Sequence, residues 1–286
     1  LYNFCNFVNL YYKIGFMKGK KILYVSSEVI PYMPQTDIAN MTYSLPKMVN
    51  ENGGQTRIFI PKYGIINERR HQLHEVIRLS GINLIIDDMD MPLILKVASI
   101  PKERMQVYFI DSEDYFKNRL VECDKNGKLY KDNDERSIFF AKGIIETIKK
   151  LNWTPDLIHV HGWIASLLPL YLKNFYNSDP MFENTKIIVS IYDNQLKGKL
   201  DKKIINKLKF DDIDDKNLSI LENPTYDNLY KISLALSDGV IFASDIKKNY
   251  IEMIKKAKIP VLECFSNIDF EKEYLDFYEK FLPNEN

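Results

Sequence analysis

Two histidines at the end of a short apolar run are the side chains in this sequence best placed to do chemistry. The run reads DLIHVHGW over residues 156–163, and a continuous apolar run of this length is typical of a buried parallel strand. It delivers His161 to the carboxyl end of that strand, where open parallel sheets bind their ligands. His161 is therefore a candidate catalytic and binding residue, and strand alternation places His159 on the same face. The alternative for each imidazole is a core group hydrogen-bonded by backbone, which we favour for His159 and leave open for His161.

Two carboxylates stand at similar positions. Glu28 follows the apolar run KILYVSS at residues 21–27, and Asp111 closes the run VYFID at residues 107–111. At the carboxyl edge of a sheet, either carboxylate could accept hydrogen bonds from ligand hydroxyl groups. The alternative for Asp111 is that Asp111 and Ser112 begin the following turn.

Two further histidines raise the question of a metal site. His71 and His74 are three residues apart and could share one helix face as metal ligands. No acidic or cysteine partner is placed to complete such a site. We therefore interpret this segment as a solvated helix and expect neither a metal nor another cofactor.

The elements that must position these residues alternate along the chain. Strands are predicted at residues 21–26, 56–60, 107–111, 157–161, 186–191, 239–243 and 261–265. Helices are predicted at residues 38–50, 133–151, 163–175, 226–236, 245–256 and 271–281. Continuous apolar strands separated by helices predict a parallel sheet covered on both faces. The fold class is therefore α/β, a single doubly wound Rossmann-like domain whose mainly parallel sheet has about seven strands.

One segment departs from this alternation. The runs LII at residues 84–86 and LILKV at residues 93–97 flank an acidic turn at Asp87 and Asp88. Short apolar runs around a polar turn are typical of a hairpin. We expect an antiparallel hairpin attached to the main sheet.

Composition excludes several classes of protein. Lys plus Arg and Asp plus Glu both number 39, so the formal net charge is zero and no overall field favours nucleic acid or an anionic membrane. The three cysteines, Cys5, Cys123 and Cys264, are odd in number and far apart, which argues against a disulfide framework and a structural zinc site. We expect a cytoplasmic protein that binds neither nucleic acid nor membrane.

The first sixteen residues read LYNFCNFVNLYYKIGF and precede Met17. They lack the basic start and the small-residue cleavage site of a signal peptide, and they are too short to span a bilayer. We interpret residues 1–16 as a non-native or flexible leader and residues 17–286 as the domain proper.

Five strings, in order along the chain, resemble one enzyme family. They are KILYVSSE at 21–28, PYMPQTDIANMTYSLP at 31–46, FIPKYG at 59–64, DLIHVHGW at 156–163 and VSIYDNQLKG at 189–198, and KISLALSDGVIFAS at 231–244 extends the match. They resemble the N-terminal half of bacterial glycogen and plant starch synthases, the ADP-glucose-dependent glucosyltransferase family 5. The resemblance implies the N-terminal half of a GT-B fold over residues 21 to about 269. It also implies a sugar site at the matched positions Glu28, His161, Trp163 and Tyr192, and Asp111 joins this predicted site because it closes a strand.

The departures from the family fall on its chemistry. Where the family has a Lys-Thr-Gly-Gly turn that meets the donor's phosphates, this sequence has PQTD at residues 34–37. Pro34 takes the place of the Lys and has no N–H. Asp37 takes the place of the second Gly, and we expect it to cap its own helix; that structural role alone would explain it. Gly162 replaces the Asp beside His161, and Tyr192 with Asp193 replaces a His-Asn pair.

Two hypotheses about function remain. One is the glucan-acceptor half of an ADP-glucose:α-glucan glucosyltransferase. We expect that half not to be catalytic alone, because it lacks the Lys-Thr-Gly-Gly turn. We also expect it to lack the nucleotide-binding second domain, since only one helix is predicted after the NID string at residues 267–269. The other is a non-enzymatic glucan-binding or protein-interaction module derived from that fold. The expected partners are an α-glucan or small sugar, and a second copy or another protein that covers the exposed cleft face.

Overall fold

A mostly parallel β-sheet runs through the protein. The computed structural model describes residues 17–103, 105–192, 196–213, 216–244, 248–263 and 270–283. Its strands are β1 Lys21–Ser26, β2 Gln55–Pro61, β3 His74–Glu75, β4 Ile82–Ile86, β5 Met89–Ile100, β6 Met105–Asp111, β7 Leu157–His161, β8 Lys186–Ile191, β9 Gly239–Phe242 and β10 Val261–Glu263. The strand order is β10-β9-β8-β7-β1-β2-β6-β5-β3, and β4 pairs with β5.

The parallel part of the sheet matches the sequence prediction. From β10 to β6 in this order, each strand pairs in parallel with its neighbour. The register sets Ser26 opposite His161 and His161 opposite Ser190. The carboxyl ends of β1, β7 and β8 therefore lie side by side, because parallel strands in register end at one edge.

The predicted hairpin is confirmed. Strands β4 and β5 pair in antiparallel fashion around Asp87 and Asp88, and Asp87 takes up a left-handed φ of 57°. Strand β5 also pairs antiparallel with β6. The hairpin thus extends the main sheet beyond its parallel part.

Helices flank the sheet. They are α1 Asp37–Glu51, α2 Glu68–His71, α3 Asn133–Leu151, α4 Leu168–Lys173, α5 Ile204–Phe210, α6 Tyr226–Ala235, α7 Lys248–Ala257 and α8 Phe270–Glu279. Helix α1 contacts β1, β2 and α8, whereas α3 contacts β4, β6 and α4. Their buried faces close a continuous core around strands whose residues are almost entirely buried, such as β7 and β9.

The predicted helix at residues 163–175 is wrong in its first half. The chain instead forms a 3₁₀ turn, Trp163–Ala165, and α4 begins only at Leu168. Pro169 lies in the first turn of α4, the place in a helix that tolerates a residue without an N–H. A helix running through from residue 163 would place this proline in its interior.

Several elements escaped the sequence analysis, namely α5, β3 and a 3₁₀ segment at Lys216–Glu222, and the solvated helix expected at His71 and His74 ends at His71. The expectations for residues 1–16, for Cys264 and for the predicted strand end and loop at residues 264–269 lie outside the described residues. Within the described ranges, no helix combines the length and the apolar character that crossing a bilayer requires.

Candidate functional site

A cavity of about 540 Å³ opens at the carboxyl edge of the sheet. We call it the carboxyl-edge cavity. Its described lining comes from the ends of four strands, from the start of α1 and from the loop before α3: Ser27, Glu28, Thr36, Asp37, Ile38, Val121, Glu122, Trp163, Tyr192, Leu196 and Ser244. Of the predicted site residues, the structure brings Glu28, Trp163 and Tyr192 into this lining.

Glu28 is a half-buried carboxylate that accepts a hydrogen bond of 2.5 Å from the hydroxyl of Thr36. Burial raises the pKa of Glu28, the Thr36 hydrogen bond opposes this rise, and the charge of Glu122 adds to it. Two carboxylates in one cavity disfavour each other's charged form. Glu28 therefore has unused capacity to accept hydrogen bonds from a ligand.

Glu122 was missed by the sequence analysis, because it lies in a loop that carries no local motif. The loop is fixed from α3, where the buried guanidinium of Arg136 lies. Arg136 donates to the backbone carbonyls of Tyr115, Leu120 and Val121 and to Oδ1 of Asn133. Asn133 in turn donates to the carbonyl of Glu122 at 2.8 Å. Burial raises the pKa of Glu122 although its own backbone N–H and the charge of Arg136 lower it.

The start of α1 corrects one expectation. Thr36, not Asp37, is the N-cap, and its hydroxyl oxygen accepts a hydrogen bond from the N–H of Ala39 at 3.0 Å. A capping side chain accepts from the second or third helical residue, and Ala39 is the third residue of a helix that starts at Asp37. Asp37 instead lies exposed in the first turn, where its charge favours the helix dipole.

Trp163 and Tyr192 provide the aromatic part of the wall. Trp163 is 2% exposed and packs edge-on against Tyr226, with ring centroids 5.3 Å apart. Its indole Nε1 is buried and has no hydrogen-bond partner among the described residues. A buried donor without an acceptor costs about 1–3 kcal/mol. Such a group is expected where a ligand or an ordered water supplies the acceptor.

His161 lies behind this wall rather than on it. Its side chain is fully buried, and its Nδ1 is hydrogen-bonded to the Tyr192 hydroxyl at 2.8 Å. Its Nε2 has no partner among the described residues. Burial lowers the pKa of His161 from 6.5 to about 3, so the imidazole is neutral at physiological pH. It reaches the cavity only through Tyr192.

His159 is a buried core group, but backbone does not satisfy it. Its Nδ1 is hydrogen-bonded to the hydroxyl of Tyr278 on α8 at 2.7 Å, and its Nε2 to the hydroxyl of Ser190 at 2.8 Å. The rings of His159 and His161 lie 4.0 Å apart. Burial lowers the pKa of His159 well below its ordinary value, and His161 adds to this effect. Both imidazoles are therefore neutral at physiological pH, and each is hydrogen-bonded to hydroxyl groups of its own.

Gly162 has a structural reason to be glycine. Its backbone has φ 80° and ψ 162°, a combination that is almost restricted to glycine. A Cβ at this position would lie 2.3 Å from the Ser27 hydroxyl oxygen and 2.9 Å from its Cβ. The ends of β1 and β7 approach closely here, so the Asp of the resembled family does not fit this backbone.

Asp111 lies away from the cavity. Its carboxylate is 9% exposed and forms an ion pair of 2.9 Å with Lys96, which also pairs with Glu68 at 2.8 Å. Ser112 begins the following turn, because its hydroxyl and carbonyl accept N–H groups from that turn. The structure does not bring Asp111 to the other candidate residues.

The two histidines considered for a metal do not share a helix face. His71 ends α2 and packs on the ring of Tyr32 at 4.9 Å, whereas His74 begins β3. The left-handed conformation of Gln72, with φ 53°, ends the helix between them. Among the residues that the structure describes, no group of three or more His, Cys, Asp and Glu side chains is arranged to hold a metal ion.

Comparison with known proteins gives a consistent match. Residues 21–259 match the family described as the starch synthase catalytic domain. Glycogen synthase of Chlorobium limicola is 41% identical over 189 residues, which are 66% of this chain and 39% of that protein. Glycogen synthase of Chlorobium chlorochromatii is 38% identical over 197 residues, 68% of this chain and 40% of that protein. The chain spans about two fifths of the length of these relatives.

Among solved structures, the fold is similar to that of the catalytic domain of starch synthase IV from Arabidopsis thaliana, described as bound to ADP and acarbose. The TM-score is 0.72 at 14% identity, and the match covers 89% of this chain and 53% of that one. At this identity the likeness concerns the fold alone.

Proposed function

Because the chain belongs to the family of starch synthase catalytic domains, we propose that its carboxyl-edge cavity binds α-glucan chains and that the described domain does not itself transfer glucose from ADP-glucose. The observation that carries this proposal is the chemistry of the lining. Carboxylate, hydroxyl and indole groups line the cavity, and no Lys, Arg or His stands among its described residues. For the whole protein, we propose a role in glycogen or starch synthesis.

Neutral saccharides fit such a lining. The carboxylates of Glu28 and Glu122 accept hydrogen bonds from sugar hydroxyls, and the buried Nε1 of Trp163 requires an acceptor that a hydroxyl oxygen supplies. A sugar hydroxyl is donor and acceptor at once, so one ligand can satisfy both kinds of group. Tyr192 completes the wall, and His161 serves as a positioning residue that holds its hydroxyl.

A nucleoside diphosphate such as ADP fits poorly at the start of α1. Pro34 offers neither a cationic side chain nor an N–H, and the hydroxyl oxygen of Thr36 already caps the helix. The carboxylate of Asp37 lines the cavity in the first turn. A charge of this sign about 4 Å from a phosphate repels it by about 1–4 kcal/mol. Of the two ligand classes named for the Arabidopsis structure, we propose that this cavity takes the saccharide.

The expectation that a second copy or another protein covers the exposed cleft face stays a prediction. Large hydrophobic side chains that are exposed within the described ranges all lie outside the described lining: Ile65, Ile77, Ile85, Met89, Phe175, Phe210 and Val261. An apolar patch would favour a protein partner. The polar lining favours the saccharide instead.

The test is a calorimetric titration of the purified chain with maltotriose, ADP and ADP-glucose, together with an assay of glucose transfer from labelled ADP-glucose to glycogen. We expect saturable heat with maltotriose, no saturable heat with ADP and no transfer. Glu28→Gln should weaken maltotriose binding, whereas Glu75→Gln, which changes an exposed carboxylate on the far strand β3, should leave it unchanged.

A second experiment rebuilds the phosphate turn. The double variant Pro34→Lys with Asp37→Gly restores a cation and removes the competing carboxylate, so weak ADP binding should appear. Asp37→Gly alone is the matched control and should show none. ADP binding by the unaltered chain as tight as by the double variant, or transfer that His161→Ala abolishes, would contradict the proposal.

A further inference from the structure

The described lining of the carboxyl-edge cavity carries an excess of negative charge in a chain whose formal net charge is zero. Glu28, Asp37 and Glu122 line the cavity, and no cationic side chain stands among its described lining residues. The whole chain has equal numbers of acidic and basic residues, 39 of each. A cleft lined by one sign of charge raises the local concentration of ligands of the opposite sign.

Neither of the two half-buried carboxylates, Glu28 and Glu122, forms an ion pair among the described residues. The ion pairs of Lys47, Lys96 and Lys207 are formed with other carboxylates. Burial raises the pKa of both carboxyl groups, and the charge of Glu122 raises that of Glu28 further. Both groups would therefore gain from a cation placed between them.

Arg136 is the cation that acts on Glu122, but its hydrogen bonds are committed. Its guanidinium is buried and donates to three carbonyls of the loop before α3 and to Asn133. It lies outside the cavity lining. Arg136 thus fixes the loop without pairing with the carboxylate that the loop presents.

A second observation points to a ligand independently of the acidic groups. Trp163 lines the cavity, is 2% exposed and has an Nε1 without a partner among the described residues. The indole N–H requires an acceptor atom such as a hydroxyl oxygen, whereas the carboxylates of Glu28 and Glu122 favour a cation. A ligand matched to the lining therefore carries both hydroxyl oxygens and a positive charge.

We infer that the carboxyl-edge cavity selects a saccharide bearing a protonated amine over neutral and anionic saccharides, with Glu28 and Glu122 holding the ammonium group and Trp163 donating to a sugar oxygen. This inference rests on the proposed function, since it concerns which saccharide the same cavity prefers. The ligand class is an amino sugar at the end of a short α-glucan.

The experiment compares four probes by calorimetry at near-neutral pH and low salt: maltotriose, a maltotriose in which an amine replaces one terminal hydroxyl, the N-acetyl derivative of that amine, and maltotriose phosphate. We expect the amine to bind at least about tenfold more tightly than maltotriose, which is within reach of one charge contact near a surface. Acetylation should remove the gain, and the phosphate should bind more weakly than maltotriose.

Variants separate a built site from general attraction. Glu122→Gln and Glu28→Gln should each remove most of the preference for the amine, whereas Glu75→Gln, which also removes one negative charge, should keep it. Equal binding of the amine and maltotriose overturns this inference but leaves the proposed function standing. If neither binds, both fail. A preference that survives in both cavity variants also overturns the inference.

Discussion

Two cavities at opposite edges of the sheet differ in how their charges are compensated. The amino-edge cavity, of about 460 Å³, lies where β2 and β6 begin, and its described lining is Lys47, Asn50, Glu51, Gln55, Thr56, Glu103 and Gln106. There the ammonium of Lys47 lies 3.2 Å from Glu103 and 3.8 Å from Glu51, and the Tyr43 hydroxyl donates to Glu103 at 3.0 Å. The carboxyl-edge cavity, of about 540 Å³, has three carboxylates and no cation among its described lining residues.

The presence of a cavity alone therefore does not identify a binding site in this protein. At the amino edge, a ligand would have to displace hydrogen bonds that the protein already makes with itself. At the carboxyl edge, Glu28, Glu122 and the Nε1 of Trp163 have capacity that the described residues do not use. Unused hydrogen-bonding capacity in a buried place has a cost, so its presence at one edge favours a ligand there.

Acidification should lower the free energy of unfolding more than any single substitution proposed below. The pKa of His161 is about 3 in the folded protein and about 6.5 when exposed. As pH falls below 6.5, this imidazole is therefore protonated in the unfolded chain but stays neutral in the folded protein. The free energy of unfolding should therefore fall by about 1.4 kcal/mol per pH unit for this imidazole, between pH 6.5 and about 3. Urea unfolding at near-neutral pH and at about pH 5 measures the slope.

His161→Asn should reduce the measured slope by the share of this imidazole and leave the contribution of His159 in place, whereas His74→Asn, a change in an exposed imidazole on β3, should leave the slope unchanged. An unchanged slope in His161→Asn would show that the acid sensitivity arises elsewhere. The amino-edge cavity has no imidazole in its described lining, so changes there should leave the slope between near-neutral pH and about pH 5 untouched, whereas the lowered pKa of Glu103 acts at lower pH.

The next effect tests the close approach behind the carboxyl-edge cavity. Gly162→Ala should destabilise the fold by about 1–3 kcal/mol, because its backbone conformation is almost restricted to glycine and the new Cβ would meet Ser27. Gly127→Ala is the matched control, since Gly127 also has a positive φ of 77° but nothing within 4 Å of the added carbon. Equal losses in both variants would rule out the contact with Ser27.

A smaller effect separates the two residues at the start of α1. Thr36→Ala removes the capping hydroxyl and should cost about 0.5–2 kcal/mol, measured by thermal or urea unfolding. Asp37→Ala should cost less, about 0.3–1 kcal/mol, because it removes only an exposed interaction with the helix dipole. If Asp37→Ala costs more than Thr36→Ala, Asp37 is the cap after all.

The smallest effect contrasts the two edges directly. Glu122→Gln should leave the free energy of unfolding unchanged or slightly higher, because burial disfavours the charge of Glu122, although Arg136 favours it, and that charge in turn disfavours the charge of Glu28. Glu103→Gln should lower it slightly, because the hydrogen bonds from Lys47 and Tyr43 hold the pKa of Glu103 below its ordinary value. Changes of the same sign in both variants would remove the distinction between paired and unpaired carboxylates.

Much of the fold was predictable because its strands are continuous apolar runs. Strands β1, β7 and β8 and helix α3 have the bounds that the sequence predicted, and the family match confirms the resemblance drawn from the motifs. The prediction of a helix at residues 163–175 was wrong in its first half, because it rested on apolar content and ignored that Pro169 is tolerated only in the first turn of a helix. Short polar elements such as α5 carry too weak a pattern to be found.

The candidate site was predictable only where it follows directly from strand ends. Glu28, Trp163 and Tyr192 lie at or just beyond the ends of β1, β7 and β8 and line the carboxyl-edge cavity, whereas their role in binding stays a prediction. Glu122 could not be found, because its place depends on the contacts of Arg136 with a loop before α3. The burial of His161 behind Tyr192 could not be predicted either. Strand alternation indicates on which side of the sheet a side chain lies, but not how deeply it is buried.

The indole N–H signal of Trp163 provides the most direct test of the account. The chain has two tryptophans, and Trp153, which packs under the guanidinium of Arg57 at 4.7 Å, serves as an internal reference. In nitrogen-15-labelled protein, titration with maltotriose should shift the Trp163 signal in a saturable way, leave the Trp153 signal in place, and give no such shift with ADP. A Trp163 signal that responds to ADP at lower concentrations than to maltotriose, or to neither, would contradict glucan binding at the carboxyl-edge cavity.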